Sequence, residues 1–125
     1  MILDTNALSA VADGDSALEE ILEETTHLAV PVIVLGELRY GIRQSRDRSA
    51  YERWLAESIP SYRMLIVDED TAERYAEIRD DLKRKGRPIP ANDLWIAALV
   101  RQHALPLMSR DQHFDSVAGL KRILW

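Results

Sequence analysis

Acidic side chains follow two of the apolar segments in this sequence, at positions where a buried carboxylate is costly unless it has a partner. Asp4 comes straight after the residues MIL, and Asp111 lies two residues beyond the segment LPLMS. Aspartate also caps helices and begins turns. For either residue alone, a structural role and a binding role therefore remain open.

Glu37 lies in LGELRYG, within a segment of helical periodicity, and has no cation at helical spacing. A glutamate on a helix surface usually pairs with a cation three or four residues away. The residues at those distances are Ile33, Val34, Tyr40 and Gly41. Glu37 therefore either reaches to solvent from the edge of an apolar stripe or serves a binding site.

Asp93 begins another helical segment, in PIPANDLWIAALV. The residues that share its helix face are Ile96, Ala97 and Val100, so the side chain is expected to point toward the sheet. Helix capping is the alternative role for this residue. Asn92 can cap the helix instead, which would leave Asp93 free.

Together, these acids predict three or four carboxylates that meet at one place. Asp115 is a further candidate, because it lies on the same side as Asp111 if a short helical turn forms. Clustered carboxylates repel each other unless a cation joins them. Mg²⁺, or alternatively Mn²⁺, prefers oxygen ligands, and the chain has no cysteine for a sulfur-based site. His113 lies in the last motif and is either an assisting group or a surface residue.

Short apolar segments alternate with longer helical ones along the chain. The predicted strands are residues 1–3, 27–30, 64–67, 105–109 and 122–125, and the predicted helices are residues 15–26, 31–45, 49–59, 70–86 and 92–103. Asp15 or Ser16 is expected to cap the first helix, and Asp70 with Glu73 the fourth. The alternation predicts an α/β fold with a mostly parallel sheet, whose binding groups lie beyond the carboxyl ends of the strands.

Bulk properties predict a single domain over residues 1–125 and a cytoplasmic location. The length suits one core, and no linker or repeat divides the chain. No signal sequence is visible, and the longest apolar run, residues 28–35, is too short to cross a membrane. The net charge of −5 argues against a protein that simply coats nucleic acid.

Four motifs, ILDTN, GELRYG, RPIPANDLWIAA and SRDQHFD, occur in this order across the chain. With them the sequence resembles the PIN domain, and more specifically the VapC-type ribonuclease toxins of prokaryotic type II toxin–antitoxin modules. The resemblance implies an acidic metal site at Asp4, Glu37, Asp93 and Asp111, with Asp115 matching a further acid of some members. It also matches Asn6 and Ser109 to small polar residues that orient ligands or water.

The resemblance further implies a PIN-like three-layer fold with a central, mostly parallel five-stranded sheet. The implied activity is Mg²⁺-dependent hydrolysis of RNA phosphodiester bonds by a homodimer. A cognate antitoxin would neutralise the toxin by blocking its active groove. Operator DNA would be contacted only indirectly, through the antitoxin, and no membrane would be involved.

An acidic groove repels RNA, so cations at its rim must attract the phosphate backbone. Arg39 and Arg43 share one helix face, and Arg110 adjoins Asp111. The other candidates precede the third motif and are Arg84, Lys85 and Arg87. For each of these cations, an ordinary solvent-exposed charge is the alternative.

Two other functions stay open. Haloacid-dehalogenase-like phosphatases and response-regulator receivers also carry an aspartate after the first strand, on which they form an aspartyl phosphate. The phosphatases need a second aspartate where this chain has Asn6, and the receivers need a lysine where it has Arg110. The other alternative is a binding module that retains the acids but acts only through antitoxin and nucleic-acid contacts.

Overall fold

The computed structural model describes every residue from Met1 to Trp125. Its five strands are β1 (Ile2–Leu3), β2 (Ala29–Pro31), β3 (Arg63–Leu65), β4 (Leu107–Met108) and β5 (Arg122–Ile123). Its six α-helices are α1 (Thr5–Ala12), α2 (Ser16–Glu23), α3 (Val32–Arg43), α4 (Arg48–Ser58), α5 (Glu69–Arg84) and α6 (Ala91–His103). Two 3₁₀ helices, Ile59–Ser61 and Gln112–Ser116, precede β3 and β5.

The five strands form one sheet in the order β3-β2-β1-β4-β5, and every neighbouring pair is parallel. The chain builds outward from β1 to β3 and then returns to the other side of β1 for β4 and β5. The strand order therefore reverses between β1 and β4, and such a reversal opens a crevice at the carboxyl ends of the strands. The predicted α/β fold with a parallel five-stranded sheet is confirmed.

The core lies around the two central strands and α6. All four residues of β1 and β4, which are Ile2, Leu3, Leu107 and Met108, are fully buried. Short strands that are apolar at every position are typical of a parallel sheet covered on both faces. Helix α6 is also buried over consecutive residues, Ile96 to Val100, and packs along α5. No helix of the chain combines the length and apolar character that a membrane span requires.

Helix α1 was not predicted from the sequence. It spans only eight residues, TNALSAVA, of which Ala7 and Leu8 are the buried ones. Most of its apolar residues are alanines, which gives a weaker helical pattern than Leu18, Ile21 and Leu22 give for α2. The cap of α2 is confirmed, since the Asp15 side chain accepts the N–H of Leu18 at 3.1 Å.

The predicted cap of α5, Asp70 with Glu73, is wrong. Asp68 is the N-cap and accepts the N–H of Thr71, while the Thr71 hydroxyl accepts the N–H of Asp68, both at 3.0 Å. Asp70 lies inside the first turn. A capping residue needs the non-helical backbone that Asp68 has, so the cap lies two residues earlier than the D-x-x-E pattern indicated.

Candidate active site

The crevice between β1 and β4 brings Asp4 next to the segment that carries Asp111. The strands pair Leu3 with Met108, so Asp4 and Ser109 are the next residues on adjacent strands. The backbone N–H of Asp4 donates to the carbonyl of Met108 at 3.3 Å, and Asp4 is only 4% exposed. The parallel register thus holds Asp4 at the end of the sheet.

Asp4 and Asp111 each cap the helix that follows them. Oδ1 of Asp4 accepts the N–H of Ala7 at 2.8 Å. Oδ1 of Asp111 accepts the N–H of His113 at 2.9 Å, at the start of the second 3₁₀ helix. The capping role that the sequence left open is therefore real for both residues. Neither cap uses the second carboxylate oxygen, so the caps leave Oδ2 for another partner.

Asp93 reaches the same crevice from the first turn of α6. The N-cap of this helix is Pro90, which makes no side-chain cap bond, so the expectation that Asn92 caps it is wrong. Oδ2 of Asp93 lies 3.2 Å from Nδ1 of His113, and the same nitrogen lies 3.1 Å from Oδ1 of Asp111. One possible ligand atom from each of these three side chains lies within 4.8 Å of the others.

Asp4, Asp93 and Asp111 form what we call the acidic centre, because their charges act on one another. Burial raises the pKa of Asp4, hydrogen bonds from Ser109 and a backbone N–H oppose this, and the charges of Asp111 and Asp93 raise it further. Burial also raises the pKa of Asp93, against the hydrogen bond with His113. Such mutual repulsion is what a bound cation relieves.

Glu37 lies outside the acidic centre and is held by Thr5. The Thr5 hydroxyl donates to Oε1 of Glu37 at 3.1 Å, which ties the middle of α3 to the start of α1. Thr5 follows Asp4 directly, so this bond keeps Glu37 near the end of β1. Thr5 was not among the site residues predicted from the sequence. A hydroxyl next to an expected ligand in ILDTN is the signal that could have indicated it.

Asp115 also lies outside the acidic centre, because both of its oxygens are bonded to Arg122. Nε of Arg122 is 2.7 Å from Oδ1 of Asp115, and Nη2 is 2.8 Å from Oδ2. The remaining Nη1 donates to the carbonyl of Ser109 at 3.1 Å. Arg122, which the sequence did not indicate, thereby ties β5 and the 3₁₀ helix to the segment that precedes Asp111.

The two small polar residues named from the sequence differ in their surroundings. Ser109 is fully buried, and its Oγ accepts the N–H of Asp111 at 3.0 Å. The Ser109 hydroxyl also bonds Asp4, which works against the raised pKa of that carboxyl. Asn6 is exposed on α1, and its side chain makes no hydrogen bond within the chain. Only Ser109 therefore contacts the acidic centre.

The expected RNA-contacting cations fall into two groups. Arg39, Arg43 and Arg87 are exposed and make no ion pair. The others are engaged by neighbouring groups. Arg84 pairs with Asp80 at 3.2 Å and Lys85 with Asp81 at 2.8 Å, while the Arg110 guanidinium lies 4.4 Å from the centroid of the Trp125 ring and donates to the Trp125 carbonyl.

Comparisons with known proteins bear on the same fold and site. The family model described as PIN domain matches residues 1–120. Ribonuclease VapC5 of Mycobacterium tuberculosis is 33% identical over 120 residues, which cover 94% of this chain and 87% of that protein. A crystal structure of VapBC-5 from the same organism, a member of the VapBC family of toxin–antitoxin systems, has a TM-score of 0.72 and 32% identity, and the match covers 98% of this chain and 94% of that one.

The fold is also that of VapBC2 from Rickettsia felis, solved bound to a DNA fragment from the promoter. The TM-score is 0.88 at 24% identity, over 99% of this chain and 97% of that chain. The related structures include a toxin–antitoxin complex from Klebsiella pneumoniae and FitAB bound to the IR36 DNA fragment.

The chain belongs to the PIN-domain family. Within that family it is a VapC-type ribonuclease toxin of a type II toxin–antitoxin system. This membership favours the ribonuclease function over the aspartyl-phosphate alternative.

Proposed function

We propose that this chain hydrolyses RNA phosphodiester bonds at the acidic centre, with Mg²⁺ or alternatively Mn²⁺ as its cofactor. The observation that carries the proposal is that ligand oxygens of Asp93 and Asp111 lie within 4.8 Å of each other, with Asp4 held beside this segment where the strand order reverses. These acids come from the ends of two strands and the start of one helix. Rigid elements of this kind hold a reactive geometry better than loops do.

The donor set fits a hard divalent cation. Its members offer carboxylate oxygens, which Mg²⁺ and Mn²⁺ prefer, and Asp4 is a buried acid crowded by two like charges. We assign Asp4, Asp93 and Asp111 as ligands, with Glu37 as a more distant one acting directly or through water. We assign Asp115 no ligand role, because Arg122 occupies both of its oxygens.

The chain's own residues orient this centre. The cap to Ala7 orients the carboxylate of Asp4, the Ser109 hydroxyl lies beside it, and the Thr5 hydroxyl orients the carboxylate of Glu37. When bound, a divalent cation would lower the pKa of water and stabilise negative charge on the phosphoryl oxygens. Attack by water rather than by the ribose 2′-hydroxyl leaves a 5′-phosphate and a 3′-hydroxyl, which end-group analysis of the products distinguishes from a 2′,3′-cyclic phosphate.

Cleavage of RNA by the purified chain tests the assignment. We expect cleavage with Mg²⁺ and none with EDTA. Asp4→Asn and Asp93→Asn should each reduce it by more than about 100-fold, since even residues one shell beyond the ligands typically cost about 10–100-fold. Asp80→Asn, on the exposed face of α5, is the control for loss of one negative charge and should cleave like the parent.

Two results would contradict this proposal in different ways. If Asp4→Asn cut RNA at the parent rate, the residue assignment would be wrong. If the parent cut no RNA with either Mg²⁺ or Mn²⁺ but still bound an antitoxin, the chain would be a binding module that retains the acids.

A cognate antitoxin is the protein partner we propose, and its binding would block access to the acidic centre. Operator DNA would then be contacted only through the antitoxin, and an RNA substrate accords with the predicted cytoplasmic location. The relationship to the VapBC-5 toxin–antitoxin system supports this partner. Co-purification with the product of an adjacent small gene, followed by loss of RNA cleavage in the complex, tests it.

We also propose that the chain is a homodimer. Large apolar side chains are exposed just beyond two neighbouring strands: Val32 after β2, and Ile66 and Val67 after β3. Ile66 is 63% exposed, and clustered apolar groups of this kind mark interfaces. Light scattering should give twice the chain mass for the parent and the monomer mass for Ile66→Glu.

A further inference from the structure

A groove of about 360 Å³ lies between the second half of α5 and the start of α6. Its walls carry the cations Arg79 and Lys83 from α5 and the apolar side chains of Pro88, Ile89 and Leu94. None of the acids of the acidic centre lines it. We call it the α5–α6 groove. A cavity that combines two cations with an apolar floor suits a ligand with a negative group attached to a flat or apolar body.

The two groove cations carry uncompensated charge. Neither Arg79 nor Lys83 forms an ion pair, although both are exposed on a helix rich in acids. Their neighbours Arg84 and Lys85 are paired with acids one turn earlier, Asp80 and Asp81. The positive charge of α5 is therefore neutralised outside the groove and left free inside it.

Arg79 is held in a fixed position by an aromatic pair. Its Nη1 lies 2.8 Å from the Tyr75 hydroxyl, to which it donates, and its guanidinium carbon lies 5.9 Å from the centroid of the same ring. Tyr75 stacks on Trp95 of α6, with centroids 4.0 Å apart. A cation anchored in this way loses little freedom when it binds an anion.

The groove and the acidic centre lie on different sides of the first turn of α6. Ala91 and Leu94 face the groove, whereas Asp93, at 100° per residue, points to another face. The helix start between them has Pro90 as its N-cap and no side-chain cap, so backbone N–H groups there are available to an anion. A polyanion that occupies the groove can therefore continue across this helix start to Asp93.

We propose that the α5–α6 groove is a subsite for the RNA substrate, holding a nucleotide beside the cleaved bond. Arg79 and Lys83 each bind one of the two phosphates that flank it, and Pro88, Ile89 and Leu94 contact its base or sugar. The subsite rests on the proposed function only in taking RNA as the ligand. In this subsite Arg79 and Lys83 are the residues of α5 that contact the RNA. Arg84 and Lys85, which are ion-paired, do not have this role.

Binding of a labelled single-stranded RNA oligonucleotide, measured by fluorescence anisotropy in EDTA, tests the subsite without cleavage. Each phosphate contact to a single strand contributes about 0.7 to the slope of log K against log salt concentration, so the double change Arg79→Gln with Lys83→Gln should reduce that slope by about 1.4 and weaken binding at 0.1 M salt by roughly 25-fold. Lys83→Gln alone leaves the Arg79 anchor intact and should give about half the change in slope.

The matched control is Arg46→Gln with Arg53→Gln, which removes two exposed and unpaired cations in or near α4. It should leave the slope within measurement error of the parent. An equal reduction of the salt slope in the control would show that only net charge matters. An unchanged slope in the groove variants would mean that the groove binds another ligand, such as a protein partner. Either result overturns the subsite, as does a parent that binds no RNA at low salt.

Cleavage kinetics separate this inference from the proposed function. In Mg²⁺ the groove variants should raise KM and leave kcat close to that of the parent, because they alter binding away from the acidic centre. If the parent bound RNA through the groove but did not cut it, the proposed activity would be wrong and the subsite would stand. If the parent cut RNA and the groove variants had the same KM as the parent, the subsite would be wrong and the proposed activity would stand.

Discussion

Asp4 meets two demands with a single carboxylate. Its Oδ1 closes the first turn of α1, while the group itself is buried beside two other acids. The cap and the Ser109 hydroxyl favour the charged form, but burial and the neighbouring charges oppose it more strongly, so the pKa is raised. Without a cation, a charged Asp4 therefore weakens the fold.

We predict that Asp4→Asn stabilises the chain in EDTA at neutral pH. Because the folded pKa of Asp4 is raised, the group is protonated in both states at low pH, and the folded state loses stability as pH rises through that raised value. The gain from Asn should therefore be absent near pH 4 and grow toward pH 7. Thermal unfolding of parent and variant across this range measures it.

Asp4→Ala is the matched control, because it also removes the charge but cannot cap α1. Asparagine caps about as well as aspartate, whereas alanine costs typically about 1 kcal/mol at an N-cap. The alanine variant should thus be less stable than the asparagine variant by about this amount at every pH. If the difference in stability between Asp4→Asn and the parent did not change with pH, the raised pKa of Asp4 would be contradicted.

Asp115 is predicted to support the site from a distance. Asp115→Asn should keep metal-dependent cleavage within about tenfold of the parent, because the side chain acts on Ser109 only through Arg122.

The ion pair of Asp115 with Arg122 should also make the stability of the fold depend on pH. The hydrogen bonds from Arg122 lower the pKa of Asp115, so the pair stabilises the fold above the ordinary aspartate pKa and loses this effect as pH falls through the lowered value.

Cleavage assays and unfolding curves for Asp115→Asn, compared with Asp93→Asn, provide the measurement. Each variant removes one negative charge, from Asp93 beside His113 or from Asp115 within the second 3₁₀ helix. A folded Asp115→Asn protein as inactive as Asp93→Asn would return Asp115 to the ligand set.

At the scale of elements, the helices that bury regular stripes were predictable from the sequence and α1 was not. Helices α2 to α6 start and end within about three residues of their predicted bounds, because each has large apolar residues at helical spacing. Helix α1 follows Asp4 directly. The sequence left a capping role open for Asp4, but the alanine-rich residues after it did not indicate a helix.

The end of α5 offers a prediction about backbone conformation. Gly86 has a φ of +67°, and the N–H of Arg87 donates to the carbonyl of Leu82 at 2.9 Å. A side chain at this φ is strained, so Gly86→Ala should lower the free energy of unfolding by about 1 kcal/mol. This turn directs the chain from α5 into α6.

Gly36→Ala is the matched control for that change, since Gly36 lies within the helical backbone of α3. A Cβ added at either glycine meets no atom within 4 Å, so the two variants differ in backbone conformation rather than in packing. Alanine inside a helix should stabilise by roughly 0.5–1 kcal/mol. Chemical denaturation should therefore show opposite signs, and a neutral Gly86→Ala would refute the strain.

At the scale of the whole molecule, the acidic centre depends on strand order. Residues at positions 4, 93 and 111 meet because β4 returns to lie beside β1, and α6 leads into β4. The sequence could indicate which acids follow strands, since that is a local pattern. It could not indicate that β4 adds next to β1 and not at an outer edge, because strand order depends on contacts between distant segments.

The same limit explains why the partners of individual side chains escaped prediction. Helical spacing showed that Glu37 had no cation on its own helix, but its bond to Thr5 joins residues 32 positions apart. Helical spacing also made Asp115 a neighbour of Asp111, while the 3₁₀ helix turned it toward Arg122 on β5. Local patterns therefore indicated candidate residues but not the side chains that these residues contact.

Divalent cations are predicted to stabilise the whole fold through the acidic centre. A ligand at 100 times its Kd adds about 2.7 kcal/mol to the free energy of unfolding, which for a chain of this size raises Tm by roughly 10 °C. Protons compete with the cation for Asp4 and Asp93, whose pKa values are raised, so the increase should be larger at pH 8 than at pH 5.

Differential scanning fluorimetry with Mg²⁺, compared with NaCl at equal ionic strength, measures this shift. Asp93→Asn should lose most of the increase, because it removes one ligand, whereas Asp80→Asn should retain it. If Mg²⁺ raised the Tm of Asp93→Asn as much as that of the parent, the stabilising cation would be bound elsewhere on the acidic surface. The carboxylates at the ends of β1 and β4 would then have to be held against their mutual repulsion by the fold alone.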